Sequence, residues 1–232
     1  MGDPVINTYS ALDARMKIVD VITNNLANAN TTGFKRDFGH ILQDETGAFD
    51  IGTRIDLSAG DLVSTGNELD VAVNGPGFFA IQTPNGVRYT RNGSFGLNSD
   101  GELVSKDGMP VLNSSGNTIN IGHGKVAIQD TGIVTVDGAE TATLKIVNFN
   151  DPTKLQKEGL QKLVWNGRPD GVQDVAEPHL KSGTLERSNV NAMDEMVHLM
   201  SAYREFEAVQ RTLKTLMTDM NGKLVQEFGK LS

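Results

Sequence analysis

Between Asn191 and Leu231, Met196, Leu199, Tyr203, Phe206, Leu213, Met217, Met220, Leu224 and Leu231 follow one another at alternating steps of three and four. That is the rhythm of a coiled-coil seam, and only Gln210 and Glu227 interrupt it with polar side chains. Asn191 suits an N-cap, with Asp194 three residues on and Asp194 and Glu195 placing negative charge on the first turn, where the helix dipole favours it. A helix from Met193 to Phe228 would be about 50 Å long, and its apolar stripe needs cover. Tyr9, Leu12, Met16, Val19 and Leu26 repeat the same alternation near the other end, with Thr23 the one lapse. Pro4 at the first helical position and Asp3 as its cap start a second helix that runs to Ala29. The two ends of the chain are expected to pair while the middle is looped out.

The first helix closes in the run from Asn24 to Arg36, NNLANANTTGFKR. Asparagine competes with the helical backbone for hydrogen bonds, so Asn24, Asn25, Asn28 and Asn30 are costly unless their amides are used. They form either a solvated helix end, with Gly33 as the left-handed stop, or a polar strip that fixes register between packed helices. From 37 to 59 no period is sustained, which predicts a linker with local docking at Ile41-Leu42 and over Ile51 to Leu57. Beyond Gly60, Asn85-Gly86, Asn92-Gly93, Asp100-Gly101, Asp107-Gly108 and Asp137-Gly138 punctuate short β-prone runs, as hairpins do. Those runs are Leu69–Val73, Phe78–Gln82, Val87–Thr90, Leu103-Val104, Val126–Gln129, Ile133–Val136 and Thr143–Phe149. A polar segment around Trp165 comes next, and Gly183 closes the body. The predicted class is α+β: a discontinuous, terminal α-helical coiled-coil hairpin plus a central antiparallel β domain. The segments are residues 1–36, a 37–59 linker, a 60–187 β domain and 188–232.

Composition narrows the function. A net charge of −8 argues against a nucleic-acid groove, which needs a basic face. Absence of cysteine removes disulfides, thiolate metal sites and cysteine nucleophiles together. No run is long enough to span a bilayer, and the Met1-Gly2-Asp3-Pro4 start has neither the basic nor the apolar region of a signal peptide. His40, His123, His179 and His198 lack metal-ligand spacing, and His198 sits beside the apolar seam. Gly93-Ser94-Phe95-Gly96 lacks the spacing of a nucleophile elbow, and Gly75-Pro76-Gly77 leads into a strand rather than a phosphate-binding helix. Asn98 to Glu102 lacks the ligand set of a calcium loop and reads as a hairpin tip. No catalytic residue, cofactor or metal site is expected.

Four of these stretches resemble the bacterial flagellar rod and hook axial proteins: NNLANANTTGFKR; Gly60 to Phe79, GDLVSTGNELDVAVNGPGFF; Tyr89 to Leu97, YTRNGSFGL, with Asp100 to Leu103; and Gly183 to Asn191, GTLERSNVN, with Glu195-Met196-Val197. They cover nearly the whole chain in order. The short 37–59 segment and the close, Arg204 to Glu207 with LVQEFGKL at 224–231, are similar to proximal-rod members. Distal-rod members have a longer segment there, and hook members carry a further outer domain. The resemblance implies a structural subunit of the basal-body rod in the periplasm or cell wall, exported by the flagellar type III apparatus without a cleaved signal. Its partners would be copies of itself and other proximal and distal rod proteins, with no nucleic acid and no membrane insertion. Terminal helices would line a tubular, torque-transmitting polymer. The residues expected at the assembly interface are Leu12, Val19, Asn24, Asn25, Leu26, Asn28, Asn30, Gly33, Phe34, Met196, Leu199, Phe206, Leu213, Met217, Met220 and Leu224. Two rivals fit the composition less well: a cell-wall polysaccharide binder displayed on a dimeric coiled coil, and a glycan-cleaving enzyme of the cell wall.

Overall fold

The computed structural model describes residues 4–122 and 124–228. The chain divides into two compact units, one of residues 1–27, 37–54 and 191–232, the other of residues 28–36 and 55–190. The chain therefore passes between units four times.

The first unit contains α1 (Pro4–Ala27), the strands β1 (Asp37–Gln43) and β2 (Phe49–Ile55, its last residue in the second unit), and α2 (Ala192–Phe228). Both predicted helices form, although α1 stops two residues short of Ala29. The Asn191 side chain accepts from the Met193 N–H at 3.0 Å, as an N-cap should. Asp3, the expected cap of α1, lies outside the described residues, as does His123. The helices lie side by side: Arg15 pairs with Glu205, while Asn7, Thr8 and Ala11 share a groove with Val209 and Thr212. As α1 ascends α2 descends, so the two are antiparallel. The stretch expected to be a linker instead carries the β1–β2 pair. Its turn is closed by Asp44, whose side chain accepts from the N–H groups of Thr46 and Ala48 at 2.9 Å each. Gly39 lets the strand come close to α1, since a Cβ there would lie 2.6 Å from Ile18 Cδ1.

The seam of α2 differs from the sequence expectation by one residue on one side. Glu195, Leu199, Ala202, Phe206, Val209, Leu213 and Leu216 are its less exposed positions, again at steps of four and three. Leu199, Phe206 and Leu213 were expected; Ala202, Val209 and Leu216 replace Tyr203, Gln210 and Met217. Gln210 is therefore no defect in the seam. Met196, Tyr203, Met217 and Met220 are 48–54% exposed, and on α1 Tyr9 and Met16 are likewise exposed. Met217 and Met220 have a simple reason: with Arg15 opposite Glu205, α1 begins at about position 216 of α2 and cannot cover the turns beyond it. The side chains of Leu224, Glu227 and Leu231 lie outside the described residues.

The second unit is built of β3 (Leu62–Ser64), β4 (Val71–Val73), β5 (Phe78–Thr83), β6 (Gly86–Thr90), β7 (Phe95–Leu97), β8 (Leu103–Ser105), β9 (Val126–Ile128), β10 (Ile133–Val136), β11 (Ala139–Thr143), β12 (Ile146–Phe149), β13 (Leu155–Glu158), β14 (Lys162–Trp165), β15 (Val172–Asp174), β16 (Leu180–Ser182) and β17 (Thr184–Glu186). The ladders of this unit are antiparallel among the described residues. The largest sheet runs β13-β14-β6-β5-β12-β15, beside a β11-β10-β9 sheet and the pairs β16-β4, β17-β3 and β7-β8. Because sequence neighbours are interleaved, the body is not a simple meander. Asn85-Gly86 and Asp137-Gly138 do make hairpins, and Asp137 takes φ 51° and Gly138 φ 84° as a tight primed turn demands. The polar segment around Trp165 supplies three strands that periodicity missed, β13 to β15, and β16 and β17 follow on either side of Gly183.

β5 shows how the core is organised. Its alternate side chains face opposite ways. Phe79 and Ile81 enter one cluster with Val71, Phe95 and Leu103, while Phe78 and Ala80 enter another with Tyr89, Val147 and Phe149. Phe149 is the aromatic pivot of the second cluster, meeting Tyr89 edge-on at 4.9 Å and stacking on Trp165 at 4.9 Å.

Candidate functional site

The segment 28–36 belongs to the β unit, and around it lies a buried polar knot. Glu186, fully buried at the end of β17, is its centre. One carboxylate oxygen accepts from Lys35 Nζ at 2.5 Å and from the Gly60 N–H at 2.9 Å; the other accepts from Arg91 Nη1 at 3.4 Å. Lys35 Nζ also donates to the Ser58 carbonyl at 2.6 Å, and Arg91 Nη1 to that of Val73 at 3.3 Å. The Arg91 guanidinium lies 4.9 Å from the centre of the Phe78 ring. Burial pushes the pKa of both Lys35 and Arg91 down, and the Glu186 carboxylate works against that by favouring their charged forms. A buried carboxylate held between two cations gives up a great deal if one member is removed, about 3–5 kcal/mol for a buried pair.

The rest of the segment is held through its backbone. Gly33 N–H donates to the Glu186 carbonyl at 2.8 Å. Gln161 donates to the Thr32 carbonyl at 3.0 Å and accepts from Asn92 at 2.8 Å. Asn189 accepts from the Arg36 N–H at 2.8 Å and donates to the carbonyl of Asp56 at 3.0 Å. Lys157 donates to the Lys35 carbonyl while its ammonium stands 3.9 Å from the ring centre of Phe34, itself fully buried. Two glycines permit this closeness. Gly33, at φ 67°, would with a Cβ come within 2.5 Å of the Asn92 nitrogen, and Gly93 would meet the Val71 carbonyl oxygen at 1.7 Å. Gly33 is thus not the helix stop expected of it, and Asn92-Gly93 is a contact between backbones rather than a hairpin tip.

The asparagines expected at the assembly interface divide. Asn25 is 1% exposed and clamps Asp37, accepting from its N–H at 2.9 Å and donating to its carbonyl at 2.8 Å. Asn28 is buried and accepts from the Thr31 hydroxyl at 3.0 Å. Asn30 is exposed and accepts from Arg187 at 3.2 Å; Asn24 is exposed. Asn25, Asn28, Gly33 and Phe34 are therefore buried and bonded within the chain's own fold. Val19 is buried as well, and Leu12 and Leu26 are half-buried. Glu186, Arg91, Asn92, Gln161 and Asn189 were missed as functional residues. Their only local signal was that Arg91, Asn92, Glu186 and Asn189 lie inside the family-like motifs.

The four family-like motifs thus converge: Lys35 and Gly33 come from the first, Gly60 from the second, Arg91, Asn92 and Gly93 from the third, and Glu186 and Asn189 from the fourth. Residues 7–35 match the model of the flagella basal body rod protein family, residues 72–136 that of the flagellar hook protein FlgE/F/G D1 domain, and residues 181–226 that of the flagellar basal body rod FlgEFG protein C-terminal domain. The flagellar basal-body rod protein FlgF of Caulobacter vibrioides is 30% identical over 97% of this chain and 98% of its own length. The chain belongs to the flagellar rod and hook family. FlgF of Rhizobium meliloti is 32% identical over 93% of both chains, and the basal-body rod protein FlgG of Buchnera aphidicola from Schizaphis graminum 32% over 89% of this chain and 92% of its own. In this family of structural proteins, the polar knot ties segment 28–36 to the end of β17. Among the described residues no helix is long and apolar enough to cross a membrane.

Proposed function

We propose that the chain is a non-enzymatic structural subunit of the proximal rod, of the FlgF type, in which α1 and α2 form a coiled-coil hairpin in the inner layer of the polymer. One observation carries this reading: on a family member, α2 turns Met193, Met196, Val197, Met200 and Tyr203 to solvent, each between 49% and 74% exposed. An apolar stripe of that length is unfavourable on a free subunit and is what a neighbouring subunit would cover. The other rod proteins and the type III export apparatus are its expected partners, and the periplasmic or cell-wall part of the basal body its expected place. Full-length protein with Leu213→Asp should lose motility and rod assembly while its β unit stays resistant to protease, because the charge falls within the α1–α2 seam. Motile cells with normal rods would overturn the reading.

The FlgG relatives, as similar as the FlgF ones, keep a distal-rod position as the second reading. A cryo-EM map of the native basal body, with Trp165 of this chain placed in a rod layer, separates the two.

A further inference from the structure

The outward faces of α1 and α2 are complementary in charge as well as in spacing. On α1, Asp13 and Asp20 stand seven residues apart; on α2, Arg204 and Arg211 do the same, and all four are exposed. Asp20, Arg204 and Arg211 have no ion-pair partner among the described residues, and Asp13 has only the exposed, intrahelical Lys17 at 3.0 Å. Seven residues is about two helical turns, so each pair lies on one face of its helix.

We propose that this face of α1 docks on this face of α2 in a second copy of the chain, antiparallel, with Asp13 against Arg211 and Asp20 against Arg204. The proposal rests on the rod reading and adds the pairing and its register. Direction comes from geometry. Copies stacked along one polymer axis keep their helices pointing the same way, so α1 of one meets α2 of the next with opposite polarity, as it does within the chain. In that register both Asp–Arg pairs close together. A parallel arrangement also satisfies the charges but reverses one subunit relative to its neighbour. The two faces differ, so the contact is heterologous and propagates rather than closing.

The test uses the full chain in its own cells. Arg204→Asp with Arg211→Asp should lower its incorporation into purified basal bodies by about tenfold, because like charges then face each other. Asp13→Arg with Asp20→Arg should do the same. The chain carrying all four substitutions should return to within about twofold of the unaltered protein, since each copy then presents exchanged charges to the next. If the fourfold variant is as defective as either half, the pairing is wrong. A second measurement does not depend on charge. The chain has no cysteine of its own, so Asp20→Cys with Arg204→Cys should give a ladder of cross-linked multimers in assembled rods, and neither single variant should. No ladder from a double variant that does enter rods overturns the pairing alone. Absence of the unaltered chain from purified rods overturns the rod reading with it.

Discussion

The helical unit leaves large apolar side chains in water, while the β unit buries charges. Met193 is 74% exposed on α2, whereas Lys35, Arg91 and Glu186 are each 5% exposed or less in the body. Both arrangements are costly alone, and they are resolved differently. The buried charges are neutralised by one another and by backbone groups within the same unit, so their counterions come from the β unit itself. The stripe on α2 has no such internal answer. One unit is finished by folding; the other, on the reading proposed above, by association.

Breaking the completed unit should have the largest effect. Glu186→Ala leaves Lys35 and Arg91 buried without their shared counterion, and should cost about 3–5 kcal/mol in urea unfolding, enough to lose the folded body. If that variant keeps its denaturation midpoint, the knot is not what holds 28–36 in place. Gly93→Ala comes next. Its Cβ would collide with the Val71 carbonyl, and overpacking of this kind costs about 1–3 kcal/mol. Gly96→Ala, with open space around it, is the matched control and should be near neutral.

In the helical unit the expected effects are no larger, and they are local. Asn25→Ala leaves the backbone of Asp37 short of two bonds and should cost about 1–3 kcal/mol, read as faster amide exchange in the β1–β2 pair without change in the β body. Met200→Glu should shift stability of the free subunit by no more than about 0.5 kcal/mol while reducing incorporation into rods. Equal losses in both would mean that the stripe is already covered within the chain.

The pH dependence sharpens the comparison from the other side. Burial lowers the Lys35 pKa from its ordinary 10.5, so the unfolded chain holds that proton more tightly than the folded one. Stability should therefore rise with pH between the lowered value and 10.5, and be unaffected by Lys35 below that window. Urea midpoints measured from neutral to alkaline pH, with Lys35→Met as reference, should show the rising difference. A falling one would contradict a desolvated lysine.

Two helices at the ends, a β body between them and an N-cap at Asn191 were all determined by the sequence itself, because helix periodicity, turn chemistry and capping act over a few neighbouring residues. The strands after Asp151 were not legible: their short ladders draw on partners far along the chain, and nothing local in that polar stretch favours them. The true seam of α2 also needed the tertiary structure. Both the expected and the observed stripes obey the same period, and only the position of α1 decides that Val209 is covered and Tyr203 is not. The knot at Glu186 was least legible. A lysine, an arginine and a glutamate scattered between positions 35 and 186 look like ordinary surface charges until the chain crossings bring them together and remove the water between them.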